Sequence, residues 1–126
     1  MIKVNVLSEE KSWSKNLKKK VFFFNNICRY FPKKFQFINK RIYLTVLLSN
    51  NRNIKKLNRK FRGKNKHTDI LSFPYNQEIT NFKEVYLGDI IISFNYINKP
   101  KNLCNYDFKV KVTKIFIHGF LHLLGF

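Results

Sequence analysis

Two cysteines, Cys28 and Cys104, stand far apart in 126 residues with no Cys-x-x-Cys spacing. That excludes a disulfide framework and reads as two buried, reduced thiols of a cytoplasmic protein. A chain of this length buries roughly two-thirds of its unfolded surface, so it needs no such staple. Glycine (4) and proline (3) are scarce as well. No linker, repeat or low-complexity tract divides the chain, which reads as a single domain over 1–126. Long apolar runs are missing too. The most apolar early stretch, VFFFNNICRYF, is broken by Asn25, Asn26 and Arg29 and is too short to span a bilayer. Met1 is followed by IKVNV rather than by a basic region and an apolar core, so no secretory signal is expected and no membrane partner. Acidic side chains are the last shortage: 7 Asp and Glu face 25 Lys and Arg, a net charge of +18. Phosphate backbones are the natural partners of such a bias. A composition rich in Lys, Asn, Ile, Phe and Tyr also arises from nucleotide bias, in which case many of the lysines only solvate the surface.

What is present sorts into alternating elements. Ile2, Val4 and Val6 alternate with Lys3 and Asn5, the period of a half-buried strand. Ser8, Glu9 and Glu10 read as a helix start, and Trp13, Leu17, Val21, Phe24 and Cys28 continue one face of a helix from about Glu9 to Tyr30, ended by Pro32. The run from Ile42 to Leu48 is dense in apolar and β-branched residues and predicts a central strand. A short helix over about Asn51–Phe61 presents Ile54, Leu57 and Phe61, with Gly63 as its stop. A basic loop then feeds a strand over Asp69–Phe73 closed by Pro74, and Asn76–Glu84 reads as a hairpin-like excursion. YLGDIIIS is a further strand, entered through Gly88 and Asp89. The last helix begins near Asp107 as its cap and is apolar nearly all round, so it belongs in the middle of the fold. This order predicts an α/β (α+β) domain, a small mixed sheet flanked by helices.

One stripe of the last helix is polar. Lys111, Lys114, His118 and His122 follow one another at spacings of three and four. His118 and His122 therefore share a face one turn apart, the geometry in which two imidazoles hold one metal ion or, equally, hydrogen-bond as a core pair. Catalytic zinc takes three protein ligands and keeps one position open. The metalloprotease form of this spacing has Glu after the first His, where this chain has Gly119, so a base comes from elsewhere or from the metal itself. Gly119 within a helix costs about 1 kcal/mol relative to Ala and points to close packing or a ligand. Arg62 is either a surface charge at a helix end or a guanidinium that clamps a phosphate. His67, Thr68, Asp69 and the Gly88–Asp89 pair read as turn chemistry.

Taken together, LNRKFRGKNKHTDILSFPY, LGDIIIS and HGFLHLLGF, in this order, resemble the YbeY family of endoribonucleases, also called rRNA maturation factors. The resemblance runs from about Ile42 to the end. It implies a zinc ion bound through a signature of the form HGxLHLxGxDH, whose first two ligands fall on His118 and His122, and an activity-related arginine at Arg62. Lys64, Lys66, Lys111 and Lys114 are the accompanying candidates for substrate contact. It further implies single-stranded RNA as substrate, with ribosomal RNA and the small ribosomal subunit as partners, in maturing the 3′ end of small-subunit rRNA and in ribosome quality control. An inactive relative that binds ribosomal RNA as an assembly factor is the alternative. The family continues past Gly-Phe with Asp and the third His, whereas this sequence stops at Phe126 and so reads as shortened just before that ligand. The carboxylate of Phe126, His67 or solvent are the substitutes within reach.

Overall fold

The alternating apolar residues of the first strand pack as expected. In the computed structural model, which describes residues 1–75, 83–101 and 103–126, β1 (Ile2–Ser8), β2 (Arg41–Ser49), β3 (Ile70–Pro74) and β4 (Glu84–Ser93) form one sheet in the order β1-β2-β4-β3. β1, β2 and β4 are parallel and β3 is antiparallel to β4. The helices are α1 (Lys20–Arg29), α2 (Asn51–Arg62), α3 (Phe94–Ile97) and α4 (Asn105–Leu123). This is the mixed α/β architecture expected from the sequence. None of the described helices is long and apolar enough to cross a membrane.

Successive residues of a strand point to opposite faces, and β4 separates two apolar clusters accordingly. Ile90 and Ile92 join Leu44, Val46 and the buried face of α4, whereas Ile91 joins Leu71 and Ile54 beneath α2. α1 and α4 thus cover one face of the sheet and α2 the other. Phe24 and Phe31 of the α1 region stack against Phe116 and Phe120 of α4. Burying each fully enclosed phenylalanine contributes about 1.5–3 kcal/mol, which is why α4 is held centrally.

Five local expectations are corrected. The helix expected over Glu9–Tyr30 is split into a 3-10 turn, Lys11–Lys15, and α1. The turn lets Trp13, fully buried, send its Nε1–H to the carbonyl of Ser49 at 2.9 Å and meet Phe94 and Phe108 edge-on. A continuous helix has no such freedom, and Val21, counted on its apolar face, is 56% exposed. The cap is Glu10 rather than Ser8: its carboxylate accepts from the Ser12 hydroxyl and backbone N–H, which hold it below the usual carboxylate range. Asp107 lies in the first turn of α4 rather than capping it; Cys104 stands at the cap. Cys104 is also exposed, so only Cys28 is a buried thiol.

Gly88 and Asp89 do not open their strand but sit inside β4, where the pairing with β2 slips by one residue and Leu44 meets Gly88. Gly88 has φ +141°, and a Cβ there would stand 2.2 Å from the carbonyl oxygen of Phe73. Only glycine allows that bulge to form against β3. The excursion expected over Asn76–Glu84 falls on residues outside those described, apart from Lys83 and Glu84, the latter already in β4.

Candidate active site

α4 turns its polar seam away from the core. Phe108, Val112, Phe116, Gly119, Phe120 and Leu123 are buried, while Lys114, His118 and His122 are exposed. The helix presses on the sheet at Gly119. A Cβ there would lie 2.7 Å from Ile70 Cδ1 and 3.1 Å from Ile90 Cγ2, so the helix approaches β3 and β4 closely enough that a side chain at this position would crowd both strands. Beside that contact the imidazoles of His118 and His122 converge, Nε2 to Nε2 at 3.0 Å with ring centroids 4.6 Å apart.

That distance bears directly on metal binding. Zinc–nitrogen bonds of about 2.0–2.1 Å at a tetrahedral angle put two ligand nitrogens about 3.3 Å apart, within a few tenths of the observed spacing. The same spacing serves as an N–H···N bond between neutral rings of complementary tautomers. The pair therefore fits two corners of a zinc ion's shell. Among the described residues no third His, Cys, Asp or Glu gathers with them. His67, one substitute for the third ligand, is turned elsewhere: its Nδ1 stands 3.1 Å from the Tyr96 hydroxyl, with the rings edge-on.

The helix ends on a glycine. Gly125 has φ +96°, its N–H bonds to the carbonyl of His122, and that of Phe126 bonds back to Leu121. The chain thus folds back beside the second histidine.

The basic loop follows the helix on the other face of the sheet. α2 ends at Arg62, and Gly63, at φ +67°, closes it with bonds from its N–H to the carbonyls of Arg59 and Asn58. Arg62, Lys64 and Lys66 are exposed. The loop is tied down from within: Asn58, 2% exposed, donates its amide N–H to the carbonyl of Lys66 at 2.9 Å, while its Oδ1 is without a partner among the described residues. At the far end the Asp69 carbonyl accepts from the N–H of Ser93. The loop therefore delivers the chain to Ile70, against Gly119. Arg62, Lys64 and Lys66 lie on this loop and its helix, whereas His118, His122 and Lys114 lie on α4, so the β3 strand links the two groups. Lys111 is separate in behaviour. Its amine is half-buried and spent on the carbonyls of Tyr96 and Lys99, which fastens α3 and the segment after it.

Three features were not legible beforehand. Asp89, read as part of a turn, accepts from the Tyr86 hydroxyl at 2.5 Å, and the Thr45 hydroxyl stands 2.6 Å from the same Tyr86 oxygen. Burial, then the bond to Asp89, pushes the Tyr86 hydroxyl up to about 12. Asn58 looked like one of several polar positions of a basic helix, and Tyr96 lay in a stretch without pattern. The only advance signal was the position of Asn58 four residues after Ile54, which puts it on the inner side of α2.

Comparison with known proteins agrees with the motifs. The sequence model of the YbeY family, described as Endoribonuclease YbeY, matches residues 5–126. A curated Endoribonuclease YbeY of Pelagibacter ubique (strain HTCC1062) is 60% identical over 125 residues, covering 99% of this chain and 82% of the relative. That of Sulfurihydrogenibium sp. (strain YO3AOP1) is 34% identical over 124 residues, 98% of this chain and 78% of the relative. The solution structure of TM1509 from Thermotoga maritima superposes with a TM-score of 0.58 at 26% identity, covering 98% of this chain and 73% of that one. With a match across nearly its whole length and close curated relatives, the chain belongs to the YbeY family of endoribonucleases.

Proposed function

We propose that the chain is a single-strand-specific, zinc-dependent endoribonuclease that acts in rRNA maturation, at the 3′ end of small-subunit rRNA, and in ribosome quality control in the cytoplasm. The observation that carries this reading is the convergence of His118 and His122, Nε2 to Nε2 at 3.0 Å, in a chain of an endoribonuclease family. These two residues would hold the zinc, together with the ligand that the family signature places two residues after Phe126. When bound, zinc supplies a Lewis acid that polarises a phosphoryl oxygen and makes water a competent nucleophile near neutral pH.

The chain's own groups do the rest. The guanidinium of Arg62 offers paired N–H donors that match two phosphate oxygens and offset charge as it builds on them. Lys64, Lys66 and Lys114 hold neighbouring phosphates as point charges. Lys111 acts at one remove, by fixing the segment of Tyr96 and Lys99. Asn58 likewise fixes the loop that carries Lys64 and Lys66.

A second reading, a relative that binds ribosomal RNA or the small subunit without cutting, rests on the net charge of +18, which attracts phosphates whether or not a metal is held. Incubating single-stranded RNA with the protein, with added zinc and with a chelator, separates the readings. Cleavage that the chelator abolishes is the expected result. Salt-dependent binding with intact RNA under every condition would leave the binding reading alone.

A further inference from the structure

α2 carries Arg52, Lys55, Lys56 and Arg59 at spacings that put them on one side of the helix, and all four are exposed. With Asn65 of the following loop they line a shallow groove of about 320 Å³. The opposite side of the helix is what packs: Ile54 and Asn58 are buried, and Phe61 lies against Phe73. Like charges three and four residues apart repel, costing a helix a few tenths of a kcal/mol per pair. Nothing on α2 relieves this, since the helix contains no acidic residue, and among the described residues the ion pair found is Arg41 with Glu84, both on strands.

The groove also runs onto the loop that follows α2. Asn65 lines it, and the next residue, Lys66, has its carbonyl held by Asn58 from the inner side of the same helix. The loop then runs to Ile70, against Gly119 of the helix that carries the histidines. The exposed Lys64 and Lys66 extend the cations of α2 onto that loop. From Arg52 to Arg59 the helix rises about 10 Å, room for two or three phosphates of a single strand.

We infer that the outer face of α2 is a phosphate-backbone exosite, built from Arg52, Lys55, Lys56 and Arg59, that holds single-stranded RNA away from the point of cleavage. It rests on the nuclease reading above but concerns a separate surface and requires no metal. Because it recognises phosphates, the exosite adds affinity without base preference.

The test compares three proteins: the unaltered chain, a variant with Arg52→Gln, Lys55→Gln, Lys56→Gln and Arg59→Gln, and a charge-matched control with Lys11→Gln, Lys15→Gln, Lys18→Gln and Lys33→Gln. The control lysines are exposed and lie on the α1 side of the molecule. Gln keeps helix propensity close to that of Lys and Arg, and circular dichroism with a thermal melt verifies that each variant folds. Binding of a labelled uridine-rich single-stranded RNA is followed by anisotropy between about 50 and 200 mM salt. Each phosphate that is no longer neutralised lowers the magnitude of the log–log salt slope by about 0.7. The α2 variant is expected to fall by about 2 in slope and at least about 10-fold in affinity, with the control near the unaltered chain. Equal falls in the two variants would overturn the exosite and assign the effect to net charge. No binding by the unaltered chain would instead overturn the nuclease reading on which the exosite rests.

Discussion

Replacing Gly119 by alanine tests the packing that brings the histidine helix to the sheet, because two effects of opposite sign compete there. Alanine is better than glycine inside a helix by about 1 kcal/mol. Were Gly119 an ordinary helical position, Gly119→Ala would stabilise the protein. The structure says otherwise: the new methyl would stand 2.7 Å from Ile70 Cδ1, 3.1 Å from Ile90 Cγ2 and 3.3 Å from Ile90 Cδ1. The Ile70 contact is with the end of a flexible side chain and gives way cheaply. The Ile90 Cγ2 contact is with a methyl on the β-carbon of a fully buried residue, which moves only with its strand. Overpacking of this kind costs about 1–3 kcal/mol, so the net expectation is a loss of about 1 kcal/mol, or a fall of about 3–6 °C in Tm for a domain of this size. Urea unfolding of Gly119→Ala, Ile70→Val and the double variant reads it out. Ile70→Val alone costs about 0.5–1.5 kcal/mol, and the double variant should be more stable than the sum of the two single effects predicts. A stabilised Gly119→Ala would refute the close approach of α4, the helix that carries the histidines, to β3 and β4.

Other outcomes follow from the same structure. With a disulfide reagent near pH 8, one thiol, that of exposed Cys104, should react in the folded protein and two in denaturant, because burial pushes the Cys28 thiol up to about 12. The sign of the accompanying pH dependence is fixed: a thiol raised in the folded state stabilises fully below its unfolded value near 9, and that stability is lost as pH rises from there toward 12. Two fast thiols at pH 8 would mean that Cys28 is not in the core. Tyr86 should ionise near pH 12 in a spectrophotometric titration, and Asp89→Asn should lower its midpoint while burial keeps it above 10; an unchanged midpoint would show that the bond to Asp89 does not form.

The fold was legible where the pattern was strong. β1, β2, α2 and α4 follow from alternation, from a dense β-branched run and from helical spacing closed by Gly63. The pairing of His118 with His122 was legible too, because a helix fixes what lies four residues apart, and Gly119 announced its packing by standing among bulky residues. What stayed hidden depends on contacts distant in sequence. Trp13 breaks an otherwise plausible helix to reach Ser49, thirty-six residues on. Gly88 looked like a turn because glycine followed by aspartate is a turn pattern, whereas the carbonyl of Phe73 on the neighbouring strand demands it. Asn58 was unreadable for the same reason, since its role appears only once the loop after Gly63 folds back over it.

Whether His118 and His122 form a metal site is decided by bound zinc, measured by elemental analysis after equilibration and gel filtration. Three chains suffice: the unaltered sequence, His118→Ala, and the sequence carried on by Asp-His after Phe126. Zinc in the unaltered chain is expected well above that in His118→Ala, with tighter retention in the extended chain as a third ligand joins. Equal, near-zero zinc in the unaltered and extended chains, indistinguishable from His118→Ala, would contradict a metal site at this pair.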